Sequence, residues 1–516
     1  MDSESSVTNL KLKNDVDNFV PVVVKARWWM LTLFCTVTLL NAFQWLHINI
    51  VAPDSVFFWN GSLPESKQGK DLAIAWLSMI YMLVYIPMIV PATWLLNHYG
   101  LRVSILIGAG LNALGAWIKC LSMELSQPYG VDSTSAVVSF PLLMVGQFVC
   151  ASGQVFLLGV PAQLASTWFG KSELALATAI GVFGNQVGCA LGFGLPPLMV
   201  PPVTETTGID QFDNVRMGFR IMFYGGAAIM SLDLIIVAFC FKEEPKIAPS
   251  LAQHKKILQR RGVKNEESNA DNEVSIHNAE ECDLLQQSYF KQVLYCFKSV
   301  SFVFLNICYG VNTAVYYEIG TLLNIIVAAY FPNEQVAIGW IGFSMVIAGL
   351  VGSIIAGIIL KKTGLYKLVV IIFYMLSVVS WGTFMGSVYS PHIAVVFFAM
   401  ILLGFFQSGM LPLGFEYAAE ITYPVDEGIT SGILNTSAHI FGIILTHLAT
   451  AMHDRFGVLP TNIFILVCML VAAVPACFMK DDLKRQRAQK VAQSEVSLNF
   501  ADDGEETLNA TNVENL

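Results

Sequence analysis

Twelve apolar blocks constrain this chain more than any other feature. Each runs to about 20 residues, the length a helix needs to cross a bilayer. They begin near Trp28, Ala73, Leu101, Ala136, Glu173, Met217, Ser299, Val336, Leu368, His392, Gly428 and Asn462. In hydrocarbon, each backbone donor and acceptor must be satisfied inside its own segment. The blocks therefore predict an all-α polytopic membrane protein with twelve transmembrane helices. Only 13% of the 516 residues are charged, against about 25% in a soluble chain. The first block, Trp28 to Val51, is too long for the apolar core of a cleaved leader, so it is expected to act as an uncleaved anchor.

The two halves echo each other. Trp76, Gly100 and Trp117 recur as Trp340, Gly364 and Trp381, each 264 residues later (340−76, 364−100, 381−117). A second echo, at 253 residues, pairs Gln154 with Gln407 and Asn185-Gln186 with Ala438-His439. Membrane chains built from two like halves are commonly carriers whose substrate lies between the halves near the midplane. The expected organisation is a tail (1–27), a six-helix bundle (28–241), a polar linker (242–297), a second pseudo-symmetric six-helix bundle (298–480) and a tail (481–516). Tails and linker are too polar to pack a core. The linker's Lys255, Lys256, Arg260 and Arg261 read as a solvated, lipid-facing patch.

Charge sets the expected orientation. With the first tail cytosolic, 23 of the 29 Lys and Arg fall on the cytosolic side; the others are Lys67, Lys70, Lys119, Arg216, Arg220 and Arg455. This bias puts both termini in the cytosol. It also leaves Asn60-Gly61-Ser62, a glycosylation acceptor, in an outer loop. The cysteines fall in spans or cytosolic segments, and no structural disulfide is expected.

Several polar residues lie at depth. Asn41, Gln44 and Trp45 sit in helix 1, with Asn41 and Trp45 on one face at i,i+4. Helix 7 carries a polar-aromatic stripe, Tyr309, Asn312, Thr313 and Tyr316, with Tyr317 at its edge. Such stripes are commonly core packing; the amides among the rings point instead to a cavity. Helices 5 and 11 would bring Gln186 and His439 face to face, although both could equally satisfy neighbouring helices. Aromatic faces from opposite bundles could hold a quaternary ammonium by cation–π contacts without a counter-charge. Intramembrane carboxylates are functional candidates by default. Glu318 could attract a cation or carry a proton. Asp233 could snorkel, Arg220 could anchor at the interface, and Glu416, Glu420, Asp426 and Glu427 could pair at the inner gate. Nothing in the sequence forms a nucleophile–base set, a metal cluster or a phosphate loop. No enzyme activity, metal, cofactor or nucleic-acid partner is expected.

The turns Asn97-His98-Tyr99-Gly100-Leu101-Arg102 and Lys361-Lys362-Thr363-Gly364-Leu365-Tyr366-Lys367 resemble the signature loop of the major facilitator superfamily. Both lack the acid expected three residues before the glycine. Further motifs narrow the resemblance: Asn41-Ala-Phe-Gln-Trp45, Trp76-Leu-Ser-Met-Ile-Tyr-Met82, Pro91-Ala-Thr-Trp-Leu-Leu96, Gly115-Ala-Trp-Ile-Lys-Cys120, Gly184-Asn-Gln186, Leu411-Pro-Leu-Gly-Phe-Glu416 and Glu420-Ile-Thr-Tyr-Pro424. From about residue 27 to 485 the chain resembles the feline leukaemia virus subgroup C receptor-related (FLVCR) transporters.

That resemblance implies a facilitator carrying choline and ethanolamine across the plasma membrane, with haem as the family's older, contested substrate. It implies that Trp45 and Tyr317 cage the ammonium, Met82 closes the cage and Gln186 meets the hydroxyl; depth in the span and the 253-residue echo add Asn41, Gln44, Asn185 and His439 as further pocket candidates. This chain has His439 where a second glutamine is usual, and Glu318 where a small residue is usual. The cage is off the repeat, since 317−45 is 272. The substrate is expected to be choline or ethanolamine, with haem as the alternative, and the protein a monomer in the bilayer. An organellar membrane, and a receptor or sensor that binds without transporting, stay open as further readings.

Overall fold

The computed structural model describes residues 24–128, 134–170, 173–203, 209–245, 249, 289–425 and 427–487. The first tail up to residue 23, most of the linker with its Lys255 to Arg261 cluster, Asp426 and the last tail from 488 lie outside them.

Twelve long helices carry the fold, all apolar and long enough to cross a membrane. They are α1 (Ala26–Leu46), α2 (Lys67–Tyr99), α3 (Leu101–Leu125), α4 (Thr134–Leu158), α5 (Leu174–Gly194), α6 (Ile209–Cys240), α7 (Val300–Ala328), α8 (Gln335–Thr363), α9 (Tyr366–Ser387), α10 (Ile393–Thr422), α11 (Glu427–Phe456) and α12 (Val458–Cys477). No strand occurs among the described residues. The twelve expected spans all exist. The largest offset is at α6, which starts at Ile209 rather than Met217 because the polar turn Asp210–Asn214 continues the helix beyond the apolar block. Backbone hydrogen bonding does not stop where hydrocarbon does. The first span is broken just past Trp45: α1 ends at Leu46, and a second short helix, Ala52–Phe58, restarts with Pro53 in its first turn. The Asn49 amide pins the break by donating to the Ile74 carbonyl at 3.0 Å.

Small residues set the helix spacing. A Cβ on Gly188 would stand 2.1 Å from the Leu39 carbonyl oxygen, and one on Gly352 would stand 2.0 Å from that of Phe405. At these positions α1–α5 and α8–α10 pack backbone to backbone, the usual means of association in lipid.

The halves meet along α2–α11 and α5–α8. We call the end where α1 begins and α12 finishes the terminal face, and the opposite end the loop face. Cross-half bonds cluster toward the loop face. Ser78 and Thr321 hydroxyls lie 2.6 Å apart, Asn324 donates to the Ile50 carbonyl at 2.6 Å, and the Gln335 amide donates to Asp54, which also accepts from the Val203 N–H at 2.9 Å. Phe193 fills the notch left by Gly339 and Gly342. Toward the terminal face the first half packs a cluster of its own, with Phe34, Leu101, Ile105, Leu164 and Trp168 at its centre. Among the described residues the halves are bonded toward the loop face, and the first half's apolar cluster at the terminal face is its own.

Candidate functional site

Trp45, on the last turn of α1, is buried, and its indole N–H donates to the Ser78 carbonyl at 3.2 Å. That bond fixes the ring against α2 and directs it at the other half. There its centroid lies 5.3 Å from that of Tyr317, with the rings at 82°. His439 of α11 stacks on Tyr317 at 5.3 Å and 14°, and its ring lies 4.3 Å from that of Tyr85 on α2. Met82 is fully buried against Gly442, where an added Cβ would meet its sulfur at 2.8 Å and Tyr317 at 3.4 Å. Tyr81 closes the side of Trp45 at 6.4 Å. Trp45, Tyr81, Met82, Tyr85, Tyr317 and His439 thus form one aromatic cluster drawn from α1, α2, α7 and α11 across both halves.

Gln186 joins indirectly: Tyr316 donates to its Oε1 at 3.4 Å, and Tyr316 lies 6.4 Å from Tyr317. Gln186 and His439 both border Tyr316–Tyr317 rather than bonding each other. Asn185 is half-buried beside Gln186 on α5.

Two expected pocket residues point elsewhere. The Asn41 amide donates to Asn112 at 3.3 Å and to the Cys150 carbonyl at 3.1 Å, inside the first half. Gln44 accepts from the Lys119 ammonium through Oε1 and reaches Met230 with its nitrogen at 3.3 Å. Lys119 is fully buried, so Gln44 provides the oxygen that this charge needs. Glu318 is also outside the cluster. One residue on from Tyr317, it turns about 100° around the helix to a buried position, and neither carboxylate oxygen has a hydrogen-bond partner among the described residues.

Four of the other charged candidates have side-chain partners. Asp233 accepts from Thr36 at 2.7 Å instead of snorkelling. Arg220 grips Glu124 through two bonds of 2.9 and 2.7 Å. Glu427 pairs with Arg485 at 2.8 Å, and Glu420 accepts from Tyr366 at 3.4 Å. Asn60 lies on the loop face in a short turn, its side-chain oxygen taken by Lys70 at 2.6 Å.

Sequence reasoning missed Tyr81, Tyr85 and Gln147. The signal for the tyrosines was present, since Ser78, Tyr81, Met82 and Tyr85 recur at 3–4 spacing. Gln147 gave none: from α4 its amide donates to the Gln44 and Leu77 carbonyls at 3.2 and 3.0 Å, tying α1 to α2 behind the Trp45 ring.

The Major Facilitator Superfamily model matches residues 34–317 and 302–502. The choline/ethanolamine transporter flvcr2a of Danio rerio is 39% identical over 466 residues, covering 90% of this chain and 89% of the relative. This chain belongs to the FLVCR family. Human choline/ethanolamine transporter FLVCR2 is 38% identical over 491 residues, with 95% of this chain and 83% of the relative covered. FLVCR1 of Felis catus is 37% identical, with 89% and 73% covered. Among solved structures, a D-xylose–proton symporter superposes with a TM-score of 0.61 at 14% identity, covering 88% of this chain and 98% of that one. A bacterial homolog of the human lysosomal transporter Spinster gives 0.61 at 13%, covering 90% and 99%. Both share the fold. This FLVCR chain is accordingly a multi-pass membrane transporter of facilitator type, and its named relatives are transporters, not enzymes.

Proposed function

We propose that this chain is a facilitative choline and ethanolamine transporter, with Trp45 and Tyr317 holding the ammonium between the halves. The observation that carries this reading is the Trp45–Tyr317 pair itself, two rings from opposite halves with centroids 5.3 Å apart. A cation inserted between such rings is attracted by both quadrupoles, on the order of 2 kcal/mol or more when desolvated. The rings touch in this state, so substrate must part them, and parting them separates the halves. Binding and the rocking of one half on the other thereby become one event.

Met82 walls the cage beside Gly442, and Gln186 with Asn185 offers amide groups to the hydroxyl end. The relatives' choline and ethanolamine names support this substrate class. Haem finds less here, because the His439 ring is held between Tyr85 and Tyr317 instead of being free to ligate iron. The bilayer proposed is the plasma membrane, with the terminal face cytosolic and Asn60 outside. The halves, joined by the linker at 242–297, act as the two rocking bodies of one monomer. Asn41 and Gln44 hold the first half together, and Glu318 is a proton-coupling candidate.

The deciding experiment is saturable uptake of labelled choline, ethanolamine and haem into proteoliposomes, with and without a proton gradient. Trp45→Ala is expected to abolish choline and ethanolamine uptake. Unchanged choline uptake would overturn the cage, and uptake indifferent to the gradient would remove the role of Glu318.

A further inference from the structure

At the terminal face, a short helix (Tyr289–Lys298) leads into α7 and packs against α11 and α7. Beneath it is a cavity of about 430 Å³, lined by Tyr295, Lys298, Ser299, Ser301, Lys480 and Lys484 among others. It lies in the second half, away from the aromatic cluster. Among the described residues no ion pair engages Lys298, Lys480 or Lys484. The acid in the lining, Asp482, is already paired with Arg487 at 2.6 Å. Lys484 is steered over the Tyr295 ring, 5.7 Å from its centroid. Ser301 and the Lys480 backbone exchange bonds of 2.9 and 3.3 Å, which fixes Lys480 beside the start of α7.

The surroundings are apolar and uncovered. The short helix turns Gln292 and Cys296 into the protein and leaves Leu294 and Phe297 exposed, with Lys291 and Lys298 on the face between. Val300 and Phe478 beside the cavity are 64% and 69% exposed. Apolar residues on one flank and lysines on the other mark a helix lying in the membrane interface.

We propose that this cavity is a binding site for the phosphate headgroup of an anionic phospholipid, with the acyl chains against Phe297, Val300 and Phe478. Three ammonium groups without an ion-pair partner among the described residues, together with the N-terminal end of α7, supply the positive field for a phosphate. The exposed apolar rim accepts chains that a free anion lacks, and so commits the site to a lipid. The proposal stands independently of the transported substrate.

The test measures binding to the purified full-length chain in phosphatidylcholine nanodiscs, alone and with added phosphatidylinositol 4-phosphate, by thermal shift and native mass spectrometry. The anionic lipid is expected to stabilise the protein and remain bound. Each lysine near a surface strengthens anionic-lipid binding by about fivefold, so the triple variant K298Q/K480Q/K484Q loses on the order of 100-fold. Lys298→Gln alone, on an exposed helix end, loses about fivefold, which keeps the test open if the triple variant folds poorly. The control K361Q/K362Q, on exposed lysines elsewhere on this face, keeps wild-type binding. Undiminished binding by both cavity variants, or equal loss in the control, would overturn the site. Stabilisation by inorganic phosphate equal to that by the lipid would overturn the lipid assignment.

Discussion

Gln44 and Trp45 are adjacent in α1 and point about 100° apart around it. Gln44 takes the buried Lys119 ammonium inside the first half, while Trp45 crosses to Tyr317 of the second. Their substitutions should therefore separate stability from transport. Gln44→Ala strands a buried charge, and losing a hydrogen bond to a charged group costs about 1.5–3 kcal/mol. It is expected to lower the melting temperature in detergent and to leave the choline KM of the surviving protein unchanged. Trp45→Phe keeps a ring but loses the indole bond to Ser78, and is expected to raise KM with little change in melting. Parallel melts and uptake curves check both.

His439 covers one side of Tyr317 by stacking. An aromatic pair contributes about 0.5–1.5 kcal/mol beyond its buried area, so His439→Ala is expected to raise choline KM roughly 2- to 13-fold by letting Tyr317 swing. His439→Phe restores a flat ring and should recover most of the loss. Recovery by glutamine but not by phenylalanine would show that a polar contact, not the stack, is what His439 supplies.

How much of this was legible in the sequence depends on the distance over which each signal acts. Block length found all twelve spans because hydrocarbon thickness acts on each segment separately. The 264-residue echo located equivalent places in the two halves but not equivalent roles. Trp117 is 47% exposed and donates to Ser231, while Trp381 is fully buried and donates to the Asn462 carbonyl. Asn41 and Gln44 were expected at the pocket because polarity at depth excludes the lipid face. The same polarity cannot separate a face turned into its own half from one turned to the other, since protein lines both. The acid absent from the Gly100 turn arrives from Glu243, 142 residues on from Leu101, whose carboxylate accepts from the N–H groups of Leu101 and Arg102 at 2.8 and 2.6 Å. No local pattern announces such a partner.

That turn gives a stability prediction. Gly100 has φ +88° and ψ −173°, a region that is essentially glycine's alone, and a Cβ there would stand 2.0 Å from Glu243. Gly364 is left-handed at φ +64° with open space around it. Gly364→Asn is expected to be tolerated, since asparagine visits this region with little strain. Gly100→Ala should cost about 1–3 kcal/mol from backbone strain, and should also disrupt the Glu243 cap on α3. A melting series including Glu243→Gln checks the ranking, which fails if the two glycine positions respond alike.

The cross-half bonds at the loop face must break if that face opens. Ser78–Thr321 and Asn324–Ile50 join the halves there, each at 2.6 Å. A hydrogen bond of this kind contributes about 0.5–1.5 kcal/mol net, so each one removed should shift the equilibrium toward the loop-open state roughly 2- to 13-fold. The double variant T321A/N324A removes both and leaves the Trp45 and Tyr317 rings in place, losing at Tyr317 only the bond from the Thr321 hydroxyl to its carbonyl at 3.1 Å. Spin labels at Glu65 and Asn333, exposed on the loop face in opposite halves, are expected to show a longer-distance population that grows in the variant. Choline should reverse the shift if it stabilises the state in which the halves close on it. A distance distribution unmoved by the double variant would mean that Asp54–Gln335 and the Phe193 packing hold the loop face without these bonds. In that case Asp54→Ala, which removes the acceptor shared by Gln335 and Val203, should open it where the double variant did not.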